Sequence, residues 1–284
     1  MEKLLETNLS KLRKAYLSEQ RPVPNAVIEA LARDPRHGAR QLAELIRKRR
    51  LKNRKEGQRL YRLLRFELEL WNNGVRYIAG VDEAGIGPLA GPVVAAAVIL
   101  PFNYKPGGLD DSKKIQNEEI REALATQIKK NAVAWAVGRA EVDEIDSINI
   151  YHAGLLAMSR AVQGLTVQPE FVLVDARTIP HCPCQQKGIV HGDALSASIA
   201  AASILAKTTR DGYMRAMHEQ YPAFGFASHK GYPTAKHLQA LKEFGVLPIH
   251  RRSFGPVKQA LGLEPVQREL FSCKKSGYGS QESE

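Results

Sequence analysis

One stretch, residues 78–100, constrains this chain more than any other. An apolar run, Ile78-Ala79-Gly80-Val81, meets two adjacent carboxylates, Asp82-Glu83; a Gly/Pro-rich turn follows, then a second apolar run, VVAAAVIL, from Val93. Short apolar runs bounded by glycine and proline read as buried strands. The segment AVAWAVGRAEV alternates like a third strand, and FVLVD (171–175) reads as a short buried one. Helical spacing is expected over 117–130, 148–163, 194–217 and 235–244. Strands first in series and then alternating with helices predict an α/β layer with a mixed sheet.

The preceding quarter of the chain differs. Residues 1–75 hold 18 Lys/Arg against 9 Asp/Glu, and so carry most of the net charge of +11. Apolar residues recur at helical spacing (Leu42, Leu45, Ile46, then Leu60, Leu63, Leu64), with interruptions expected at Arg21–Pro24, at Asp34-Pro35 and at Gly57. The run 47–55 has seven Lys/Arg in nine residues; on a helix it forms a cationic ridge suited to a polyanion such as nucleic acid. Asn72-Asn73-Gly74 is a turn signal, so a basic helical extension (1–73) and an α/β domain (74–262) are expected, with a polar, disordered tail (263–284). No run of about 18 apolar residues argues for a membrane span, the N-terminus lacks a secretory pattern, and 3 cysteines are too few for a disulfide framework. A cytoplasmic setting follows as the expectation.

Carboxylates mark the candidate chemistry. Asp82 and Glu83 end one apolar strand, Asp175 ends another, and Asp193 precedes the alanine-rich helix, where it also suits an N-cap. Ligands gather at the carboxyl ends of strands in α/β sheets. Four carboxylates without a His/Cys cluster make a hard, oxygen-rich site, which prefers Mg²⁺ or Mn²⁺. Two such ions suit phosphodiester hydrolysis.

Two rival readings are weaker. Gly85-Ile86-Gly87-Pro88-Leu89-Ala90 fits the G-x-G-x-x-G/A dinucleotide pattern. However, acids precede the glycines, Pro92 leads into an apolar run rather than a helix, and no acidic residue follows about 20 positions on. His181, Cys182, Cys184 and His191 suggest zinc, yet H-C-P-C is not the usual knuckle spacing; a loop with two free thiols is expected.

The motifs GVDEAGIGPLAGPVVAAAVIL, DDSKK, INIY-HAGLLAM, VLVDA, GDALSASIAAASILAKTTRD, YPAFGFASHKGYPTAKHL and PIHRRSF resemble, in order, those of bacterial ribonuclease HII, over roughly residues 76–262. The basic N-terminal segment is similar to the helical extension of Gram-positive members. The resemblance implies a ribonuclease H-like fold, with a mixed five-stranded sheet flanked by helices. It implies an endoribonuclease that hydrolyses the RNA of RNA/DNA hybrids and cuts 5′ of single ribonucleotides embedded in duplex DNA. It leaves 5′-phosphates, uses two divalent ions (Mn²⁺ or Mg²⁺) and serves ribonucleotide excision repair. By the same resemblance Asp82, Glu83, Asp175 and Asp193 are catalytic metal ligands. The Gly85-Ile86-Gly87 turn senses the 2′-hydroxyl, Tyr232 stacks on a sugar, and Lys113 contacts phosphate. A monomer is expected.

Three departures bear on that expectation. Ile86 stands where the family turn carries Arg or Lys, which removes a cation beside the scissile phosphate; one charge-assisted hydrogen bond is worth roughly 1.5–3 kcal/mol. His191 replaces the usual Lys of a Lys-Gly-Asp motif, and Ala176 replaces a common Gly. The alternative these changes raise is a catalytically impaired duplex-binding protein of the same fold.

Overall fold

The computed structural model describes residues 8–19, 21–102, 104 and 117–263. Lys113, Cys273 and the tail from residue 264 lie outside them. Two compact units are present, Met1–Phe66 and Glu67–Glu284.

In the first unit, helices Asn25–Arg33 and His37–Leu63 carry the apolar spacing into a small core of Leu12, Val23, Ile28, Leu31, Ala39, Leu42, Ala43 and Ile46. Asp34 ends the first helix, and its carboxylate accepts the Arg36 backbone N–H at 2.8 Å. Gly57 does not interrupt the second; the break falls at Leu64, and Gly57 costs the long solvated helix too little to stop it. Residues Arg47, Lys48, Lys52, Arg54 and Lys55 are exposed along this helix.

The second unit is built on one five-stranded sheet, ordered β3-β2-β1-β4-β5. The strands are β1 (Ile78–Ala84), β2 (Val93–Ile99), β3 (Ala134–Ala140), β4 (Phe171–Asp175) and β5 (Gln185–Ile189). β1, β2 and β3 are antiparallel neighbours, whereas β4 lies parallel to β1 and β5 parallel to β4. Sequence patterning finds four of these strands and misses β5. QQKGI is polar and mostly exposed, so it has no apolar signature.

Helix Ala197–Gln220 packs on β1 and β2, and helix Val142–Gln163 packs on β3, β2 and β1. The pleat assigns alternate residues to the two helices. Ala79, Val81, Ala95, Ala97 and Ile99 share a core with Ala153, Ala157, Met158 and Ala161 of the second helix. That helix starts at Val142 rather than at 148 and kinks at Asn149 (φ 67°), whose side chain accepts the N–H groups of Tyr151 and His152 and so caps a fresh start. The alanine-rich helix starts at Ala197 and is capped by Ser196, not by Asp193, which sits in a separate short helix, Gly192–Leu195.

Candidate active site

Val81 of β1 is level with Val174 of β4, so Asp82 and Asp175 emerge side by side at the carboxyl ends of two parallel strands. A cavity of about 510 Å³ opens there, lined by Asp82, Glu83, Asp175, the Gly85-Ile86-Gly87 turn, Ser203, Lys207 and Tyr232, among others. The pleat separates the adjacent acids. Asp82 faces helix Ala197–Gln220 and bonds Ser203, while Glu83 turns to the other face and pairs with Arg177 at 3.1 Å. Burial, together with the charges of Glu83 and Asp175, holds the Asp82 carboxyl well above the usual carboxylate range. Asp175 accepts the Gly192 N–H at 2.7 Å. Asp193 follows that glycine and is buried, and it does not line the cavity.

The turn after the acids is held from behind. Arg251, fully buried, donates from Nη2 to the Gly85 carbonyl at 2.6 Å, from Nη1 to those of Ile86 (3.1 Å) and Pro88 (2.7 Å), and from Nε to Gly91 (2.9 Å). Arg210 donates to the carbonyls of Ala90, Pro92 and Lys230. With the Gly85 and Ile86 carbonyls engaged from behind, the turn can offer backbone N–H groups to the cavity. Gly85 has φ 98°, and a Cβ there would lie 2.2 Å from Arg210 Nε, so only glycine fits. Burial pushes Arg251 down to about 9.

Tyr232 is 44 % exposed, its ring against Gly87. Its loop is fixed by a chain of histidines. The Leu247 N–H donates to His250 Nδ1 at 2.9 Å, which places the His250 proton on Nε2. That N–H points at His237 Nε2 at 3.0 Å, and His237 Nδ1 in turn donates to the Tyr232 carbonyl at 2.9 Å. The relay is satisfied only while both rings are neutral. Burial favours that state and pushes His250 down to about 4. Sequence reasoning missed Arg210, Arg251, His237 and His250 as individual residues. Their only signal was membership of the matched motifs, because the two arginines act on backbone carbonyls remote in sequence and the two histidines on each other and on nearby backbone.

The expected residues therefore divide. Asp82, Glu83, Asp175, Gly85, Ile86, Gly87 and Tyr232 share the cavity, Asp193 lies behind Asp175, and Lys113 is outside the described residues. The donors are all oxygen, which suits a hard divalent cation. As placed, no three His, Cys, Asp or Glu side chains among the described residues converge closely enough to chelate an ion. Cys182 and Cys184 are part-buried thiols packed against the core, and burial pushes Cys184 up to about 11.

Comparison with known proteins agrees with this geometry. Residues 79–257 match the family model of ribonuclease HII, and residues 13–71 match that of the ribonuclease HII N-terminal domain. The chain is 62 % identical to a ribonuclease HII of Myxococcus xanthus, over 98 % of this chain and 97 % of that one. A ribonuclease HII of Anaeromyxobacter is 59 % identical, over 95 % and 86 % respectively. The crystal structure of ribonuclease H2 from Pyrococcus horikoshii superposes with a TM-score of 0.56 at 26 % identity, covering 65 % of this chain and 96 % of that one. A sheet of this order, with acids at the ends of β1 and β4, is thus the ribonuclease H-like fold, and the chain belongs to the ribonuclease HII family of metal-dependent nucleases that act on RNA/DNA hybrids.

Proposed function

We propose that this protein cuts 5′ of ribonucleotides, including single ones embedded in duplex DNA, and so starts their excision. The observation that carries this reading is the single cavity shared by Asp82, Glu83, Asp175, the clamped Gly85-Ile86-Gly87 turn and Tyr232. Asp82, Glu83, Asp175 and Asp193 would hold two divalent cations, Mg²⁺ or Mn²⁺. Such ions, when bound, activate water and stabilise the leaving 3′-oxygen. The chain's own residues select and position the substrate. The turn's N–H groups meet a 2′-hydroxyl at the step to be cut, and the exposed Tyr232 ring offers a flat apolar face to the neighbouring sugar. The exposed cations of residues 47–55 add sequence-independent affinity for the duplex. The protein works as a monomer in the cytoplasm.

The test is a labelled DNA duplex with one ribonucleotide, incubated with Mg²⁺ or Mn²⁺, beside a long RNA/DNA hybrid. A nick just 5′ of the ribonucleotide is expected. Cleavage of the hybrid alone would remove the junction reading, and tight binding without any cleavage would make this an impaired duplex-binding protein. Replacing Arg47, Lys48, Lys52, Arg54 and Lys55 by Gln should flatten the salt dependence of binding; an unchanged slope would give this helix another role.

A further inference from the structure

Arg177 is a charged group paired with Glu83, one of the residues that line the cavity, and the reading above leaves it without a task. It follows Asp175 by two residues, with Ala176 between them in the left-handed region at φ 49°. Its guanidinium stands 3.1 Å from Glu83 Oε1, 5.2 Å from the centre of the Tyr151 ring, and donates to the Tyr151 carbonyl at 3.3 Å. The side chain remains 16 % exposed. Gly154 makes the room: a Cβ there would fall 2.6 Å from Arg177 Nη1 and 3.3 Å from Ile86 Cδ1. The side chains of residues 86 and 177 therefore crowd one spot on the rim.

We propose that Arg177 is a phosphate-binding residue for the nucleic-acid substrate, supplying beside the Gly85-Ile86-Gly87 turn the cation that Ile86 does not. The inference rests on the ribonuclease reading above. A guanidinium presents a rigid fork of donors that matches two oxygens of a phosphate. Arg251 and Arg210 spend their forks on buried backbone carbonyls and are fixed there. Arg177 instead holds a largely buried carboxylate, one long carbonyl contact and an aromatic face, so a phosphate reaching it competes with fewer hydrogen bonds than one reaching Arg251 or Arg210. Tyr151 is 53 % exposed, so the approach is open on that side.

The experiment is fluorescence anisotropy with full-length protein, a DNA duplex carrying one ribonucleotide, EDTA and a range of salt, so that no metal or turnover enters. Arg177→Ala is expected to weaken binding about tenfold and to lower the salt slope by about one. Arg177→Lys should keep the slope and recover part of the affinity. Gly154→Ala keeps every charge but fills the guanidinium's place, and should weaken binding in the same direction. Ile86→Arg should add little to the parent protein, where the spot is taken, yet restore most of the affinity of Arg177→Ala. Unchanged affinity and slope in Arg177→Ala and Gly154→Ala would overturn the proposal, as would an equal gain from Ile86→Arg in both backgrounds. Nicking of the same duplex on adding Mg²⁺ is scored separately. A parent protein that binds without nicking refutes the ribonuclease reading while the binding cycle still decides Arg177.

Discussion

The two sides of the cavity are built in opposite ways. On the turn side, Arg251, Arg210 and, through the His250–His237 relay, His237 give donors to backbone carbonyls and are buried, so the Gly85-Ile86-Gly87 turn and the Tyr232 loop are tied by hydrogen bonds from within. On the acid side, like charges converge, Asp82 is held protonation-prone by burial, and an arginine is tied by a largely buried ion pair. The difference teaches how stability and chemistry can be separated: the clamp holds the fold, and the acid side, which the proposed function makes the reacting side, costs the fold stability.

Substitutions should therefore fall into two classes. The largest effect is expected on the rim. Asp82→Asn should reduce cleavage by more than a hundredfold while the melting temperature rises. The sign follows from linkage. A carboxyl raised in the folded state contributes fully only below its unfolded value, near 3.8, and that contribution is lost as pH rises through the folded value, so at neutral pH the charge opposes folding. A lowered melting temperature would merge the two classes.

Next is the clamp. Arg251→Met should destabilise by at least about 3 kcal/mol, because four carbonyls lose their donor inside the protein; urea denaturation measures it, and a loss under about 1 kcal/mol would show that the turn holds itself. The histidine relay gives a pH signature of similar size. His250 is pushed from 6.5 down to about 4, so stability is full above pH 6.5 and falls as pH drops from there through 4, by roughly 3 kcal/mol in all. His250→Gln should remove that part of the pH dependence. The smallest effect returns to the rim. Ala176, at φ 49°, stores backbone strain beside Asp175, and Ala176→Gly should stabilise by up to about 1 kcal/mol in the same assay.

Sequence reasoning reached the acid side better than the turn side, for a physical reason. Asp82, Glu83 and Asp175 are polar residues closing apolar strands, and periodicity exposes such a contradiction at once. The clamps make no local contradiction. Arg251 bonds residues 160 to 166 positions away, and only the fold shows which carbonyls await it. The Asn149 kink and the Ser196 cap shifted two helix starts, since polar residues inside helical spacing do not say which of them turns the chain. The basic extension was legible as helices, while the core that binds them uses Leu42 and Ile46 and leaves Leu45 at 41 % exposure.

Adjacent residues of a strand point to opposite faces of the sheet, and the Asp82-Glu83 pair, which lines one cavity, shows what that entails. One side chain faces helix Ala197–Gln220 and meets a hydroxyl; the other turns the opposite way, beside a guanidinium. The pair is thus not a doubled acid but two non-interchangeable parts whose identities are set by parity along β1. Inserting or deleting a single residue upstream within that strand would turn each carboxylate to the face opposite its present one. A change of length within β1 would therefore disturb the site even where it spared every acid.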